Sequence, residues 1–128
     1  MSAPRLRLAG TVLSTRDVQS LASFYERLLG WPRLMDEEGW VVLRDDPDGQ
    51  ALSFHGDDEY VPPTWPSAAG EQLMMMHIDI ATDDLDAAVA HAIECGASRA
   101  EFQPQDDEVT VMLDPDGHPF CLFPSPNW

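Results

Sequence analysis

One β-α-β-β-β pattern runs twice through this chain, and an α+β fold of two tandem βαβββ modules follows from it. An apolar strand leads to an Asp, a helical apolar stripe and a stopping Gly at Asp17 and Gly30, and again at Asp84 and Gly96. Asp-Pro-Asp-Gly separates two short β-like runs at 46–49 and again at 114–117. The chain has 128 residues, the length of one domain, and such a domain buries roughly two-thirds of its unfolded surface.

A strand is expected over Leu6 to Leu13, and after Asp17 the residues Leu21, Phe24, Tyr25, Leu28 and Leu29 recur at helical spacing. Asp17 can accept the unpaired N–H groups of the first turn, and Gly30 can take the left-handed conformation that ends a helix. A weak strand fits Trp31 to Met35, and two firmer ones, Trp40 to Arg44 and Ala51 to His55, flank the first Pro-Gly turn. The second copy has a strand over Met74 to Ala81 and a helix after Asp84 with Leu85, Ala88, Val89, Ala92 and Ile93 on its stripe. Strands over Arg99 to Gln103, Val109 to Leu113 and Phe120 to Phe123 complete it. Module one therefore covers about 6–56, a connecting loop 57–73, and module two about 74–125, within a single domain over 1–128. The loop is too long for a bare connector, and Tyr60, Pro62, Pro63, Trp65 and Pro66 are expected to fasten it to the body.

Charge narrows the partners. Seven basic residues, all Arg, stand against 23 acidic ones for a formal net charge of −16. Counterion release from phosphates needs basic side chains, so neither nucleic acid nor an anionic membrane is an expected partner, whereas a cationic small molecule is favoured. Cys95 and Cys121 are too few for a disulfide framework. The N-terminus has Arg5 and Arg7 but no apolar signal region, and no run of about 18 apolar residues occurs, so a cytoplasmic protein is expected.

The paired modules, the Asp after each first strand and the repeated hairpins resemble the vicinal oxygen chelate superfamily, from Leu6 to Pro124. The stretches at 60–66, 76–80 (Met-His-Ile-Asp-Ile) and 114–122 resemble its glyoxalase-like branch. The superfamily includes glyoxalase I, extradiol dioxygenases and bleomycin-resistance proteins. The resemblance implies a cup-shaped mixed β-sheet with helices outside, a homodimer, and four inward metal positions on the first and last strands of each module. Those positions fall on Gly10 and Ser53, and on His77 and Cys121. His77 alone is a usual ligand of the octahedral ions bound there, so the quartet is degraded. Glyoxalase I activity itself is not expected, because Ser53 and Cys121 stand where that reaction needs a carboxylate.

Strand alternation puts Met75, His77, Asp79 and Ala81 on one face, with Ser53 and His55, and Cys121 and Phe123, on the matching faces of their strands. His77 and Asp79 are the candidate catalytic pair. Ser53, His55, Tyr60, Trp65 and Cys121 are the candidate ligand-binding residues. His77, His55 and Cys121 form a candidate zinc donor list. A strand His held by a neighbouring carboxylate in a polar interior is the alternative for His77, and a small buried hydrophobe is the alternative to a reactive Cys121. His118 is expected as a solvated turn residue, and His91 as a surface residue of a helix.

Three functions stay open. One is a small-molecule-binding protein of the bleomycin-resistance type that needs no cofactor. Another is an enzyme in the same cup, lyase- or dioxygenase-like, working either as a zinc-assisted lyase or hydrolase or through His77 and Asp79 as metal-free base and acid. The last is an interaction module whose cup is filled by Tyr60 and Trp65.

Overall fold

A computed structural model describes residues 3–105 and 108–125. The chain divides into two compact units, Met1–Tyr60 and Val61–Trp128. Each contains one βαβββ module, and the fold is α+β with two four-stranded mixed sheets.

In the first unit β1 (Gly10–Thr15), α1 (Val18–Leu29), β2 (Arg33–Glu37), β3 (Trp40–Leu43) and β4 (Ala51–Gly56) follow one another. The sheet order is β1-β4-β3-β2, with β1 parallel to β4 and the remaining pairs antiparallel. The Asp17 side chain accepts the Ser20 N–H at 3.1 Å, and Gly30 closes the helix at φ 72°. The buried stripe Val18, Leu21, Ala22, Phe24 and Tyr25 packs on the β3 and β4 face, where Tyr25 stacks on Phe54 at 5.6 Å. Each large side chain buried there contributes roughly 1.5–3 kcal/mol from leaving water.

The second unit repeats the order with β5 (Ile78–Thr82), α2 (Leu85–Cys95), β6 (Ser98–Arg99), β7 (Thr110–Leu113) and β8 (Pro119–Pro124), in the sheet order β5-β8-β7-β6. Asp84 caps α2 through the Ala87 N–H at 3.1 Å, and Gly96 ends it at φ 125°. Phe120, Leu122 and Met112 are almost wholly buried on the face that meets α2.

Local devices are copied with the fold. Thr15 Oγ1 accepts the Asp17 N–H at 3.0 Å, and Thr82 Oγ1 accepts the Asp84 N–H at 3.1 Å. The carbonyls of Thr15 and Thr82 in turn receive the N–H groups of Asp57 and Ser125.

β2 lies two residues beyond the expected Trp31 to Met35, and larger differences, of four residues at one end, occur in β1, β5 and β6. β1 starts at Gly10 because its ladder with β4 starts there, and Leu6 and Leu8 are exposed ahead of it. β5 starts at Ile78 because Met75 sits at φ 62° and the Met76 N–H turns back to the Met74 carbonyl, which takes this stretch out of extended geometry. β6 stops after Arg99, and the Gln103 side chain takes over the pairing. Its amide donates to the Val111 carbonyl and accepts the Val111 N–H, at 2.7 and 2.8 Å.

Candidate functional site

The second sheet gathers the reactive side chains. His77 directly precedes β5, and Asp79 lies two residues on, so both project to one face. His77 Nε2 is 3.0 Å from Asp79 Oδ1, with 38% and 60% of the two side chains exposed. Across the parallel ladder Asp79 is the register partner of Cys121, and Cys121 is in turn the partner of Val111 on β7. The ligand atoms of His77, Asp79 and Cys121 lie within 4.8 Å of one another.

This neighbourhood sets the state of the thiol. Partial burial, the negative charge of Asp79 and a hydrogen bond to its carboxylate all push the Cys121 thiol above its ordinary range. At neutral pH it is a protonated donor to Asp79. The arrangement therefore disfavours a Cys–His nucleophile, which needs a lowered pKa, and favours an anionic anchor at Asp79.

The matched positions of the first sheet carry other chemistry. Val12 is the register partner of Ser53, and Ser53 of Val42, as Asp79 is of Cys121 and Cys121 of Val111. A Cβ at Gly10 would stand 2.5 Å from the Ala51 carbonyl oxygen, so the backbone leaves no room there for a side chain. Ser53 is 5% exposed and offers a neutral hydroxyl. Gly10 and Ser53 therefore do not fit as half of a four-ligand octahedral set.

The remaining candidate residues are distributed as follows. His55 is exposed on β4, in register with Ser14 and Trp40, and belongs to the first unit, outside the converging donor group. Tyr60 receives Arg16 Nε on its carbonyl at 2.9 Å. Trp65 donates its indole N–H to the Phe102 carbonyl at 3.0 Å, with the two rings tilted 6.1 Å apart. Phe102 lies just beyond β6, the edge of the sheet opposite β5. Trp65 thus fastens the loop at the far side of the sheet from His77.

His118 is a correction. Its side chain is 14% exposed, and Nδ1 lies 2.8 Å from Oδ2 of the buried Asp114. Asp114 also accepts the N–H groups of Asp116 and His118. A turn residue of this kind is ordinarily solvated, but here the turn folds its own ring onto its first carboxylate. The signal was the residue that follows the shared Asp-Pro-Asp-Gly, His118 where the first copy has Gln50.

A family model described as a glyoxalase-like domain matches residues 10–123. No curated protein matches the sequence. Among solved structures, the chain is similar to a glyoxalase/bleomycin resistance protein/dioxygenase family enzyme from Burkholderia phytofirmans PsJN. That match has a TM-score of 0.70 and 17% identity, over 93% of this chain and 98% of the other. A glyoxalase family protein from Enterococcus faecalis matches with a TM-score of 0.67 and 21% identity, over 91% and 96%. The trypanothione-dependent glyoxalase I of Leishmania major matches with a TM-score of 0.67 and 20% identity, over 94% and 87%. Among the described residues, no helix is long and apolar enough to cross a membrane.

Proposed function

The chain belongs to the glyoxalase-like domain family, and from that premise we propose that it binds a small cationic or aromatic molecule on the face of its second sheet. The observation that carries this reading is the solvent-open Asp79 carboxylate, flanked by the His77 ring and a protonated Cys121 thiol. A carboxylate with a protonated thiol beside it attracts a positive group. The chain's net charge of −16 adds a long-range field of the same sign.

Binding as such needs no ion here, and first-sheet positions that offer only the neutral Ser53 hydroxyl support a reading without an octahedral metal. Proflavine, a planar cationic dye, is a suitable probe in a fluorescence titration. Asp79→Asn is expected to weaken its binding about tenfold, or about 1.4 kcal/mol. Equal binding by the variant, or equally tight binding of an anionic naphthalene sulfonate, contradicts the reading.

A second reading is favoured by the 3.0 Å contact between His77 and Asp79. A ring nitrogen and a carboxylate at that distance, both open to solvent, can take up and return a proton without a metal. For a substrate found by screening, turnover unchanged in His77→Ala eliminates this branch.

A further inference from the structure

The stretch that delivers His77 to the second sheet carries chemistry of its own. Met74, Met75 and Met76 follow one another directly before it. Met75 is 86% exposed and Met76 82%, whereas Met35 is 43% exposed and Met112 is fully buried. We propose that Met75 and Met76 form an oxidation site for hydrogen peroxide, and that their sulfoxide state weakens the hold of the second sheet on its ligand. The effect on binding rests on the ligand reading, and the oxidation does not.

The backbone builds the exposure. Neighbouring residues of a strand point to opposite faces, so a strand continued back through Met75 and Met76 would turn one of them toward the face that meets α2. Met75 instead takes φ 62°, a left-handed conformation uncommon outside glycine, and the Met76 N–H bonds back to the Met74 carbonyl at 2.7 Å. Both side chains therefore stand in water.

Chemistry selects these sulfurs. A thiol must ionise before it attacks a peroxide, and Cys121 is protonated at neutral pH while Cys95 is buried. A thioether has no proton to lose and reacts as it stands. Its sulfur takes one peroxide oxygen as the O–O bond breaks, so sulfur is oxidised by two electrons and the other oxygen leaves as water. A dithiol-dependent sulfoxide reductase reverses the step, with the sulfoxide oxygen released as water and the dithiol closed to a disulfide.

Position gives the step its consequence. Consecutive Cα atoms are about 3.8 Å apart, so Met76 stands beside His77 and Met75 one residue further back. An aromatic ligand resting against His77 and Asp79 gains from polarizable thioethers at that rim. A sulfoxide is polar and keeps its own water, and the gain is lost.

The test treats the full chain with dilute hydrogen peroxide and maps each sulfoxide by fragmentation mass spectrometry. Met75 and Met76 are expected to oxidise faster than Met35 and roughly tenfold faster than Met112. The oxidised chain should bind proflavine about threefold more weakly. Methionine sulfoxide reductases with dithiothreitol should restore the affinity. The double variant Met75→Leu, Met76→Leu should bind the dye equally before and after peroxide, and the single variants serve if circular dichroism shows the double one unfolded. Oxidation of Met35 or Met112 at the same rate, an affinity unmoved by oxidation, or a peroxide effect that survives in the leucine variant overturns the proposal. An untreated chain that binds no proflavine removes the ligand reading and the effect on binding with it, whereas the mapped order of oxidation still decides the oxidation site.

Discussion

In the first sheet the row Val12, Ser53, Val42 crosses three strands, and in the second the same row reads Asp79, Cys121, Val111. The strands on either side are ordered alike, and the helix caps, the threonines before them and the turns are copied. What separates the copies is side-chain chemistry on one face. A frame held by backbone pairing and local caps leaves these positions free to vary, so one copy carries a carboxylate and a thiol where the other carries Val12 and the neutral hydroxyl of Ser53.

The hairpins repeat the contrast. Both first Asp carboxylates accept the N–H two residues on, at 2.9 Å. Asp46 is exposed, whereas Asp114 is buried and bonded to His118 as well. Asp114→Ala leaves two N–H groups and a ring without their acceptor, and a loss of about 2–4 kcal/mol is expected in urea unfolding. Asp46→Ala should cost less than about 1 kcal/mol. Equal losses break the comparison.

A smaller difference is expected at the turn glycines. Gly117 has φ 91°, and a Cβ there would meet Pro62 Cβ at 3.0 Å, whereas a Cβ at Gly49 has its nearest contact at 3.3 Å. Gly117→Ala should destabilise by about 1–3 kcal/mol and Gly49→Ala by less than about 1 kcal/mol, read as the shift in thermal midpoint. A reversed order means that the loop carrying Pro62 moves aside easily.

The mildest effect concerns Cys121. Burial and Asp79 raise its pKa, so the thiolate forms at higher pH than in an ordinary thiol. Alkylation by iodoacetamide, followed at Cys121 by peptide mapping, should be slow through neutral pH and accelerate only above the usual thiol range. Removing the charge and acceptor in Asp79→Asn stabilises the thiolate relative to the thiol, so the profile should move to lower pH. An unmoved profile means that burial alone sets the shift.

The helix caps, the hairpin turns and the two-module order could be read directly from the residues. Asp17, Gly30, Asp84 and Gly96 act on neighbours within a few positions, as do the Pro-Gly turns. Alternation likewise put His77, Asp79 and Cys121 on matching faces, because side-chain period in a strand is fixed by the pleat. Tertiary structure decided the start of β5, the substitution of Gln103 for a strand, and the in-register pairing of Asp79 with Cys121. It also decided that Asp114 is buried beneath His118. Each of these depends on which backbone or side chain arrives from elsewhere in the fold, and that choice is made by packing and pairing beyond the reach of local spacing.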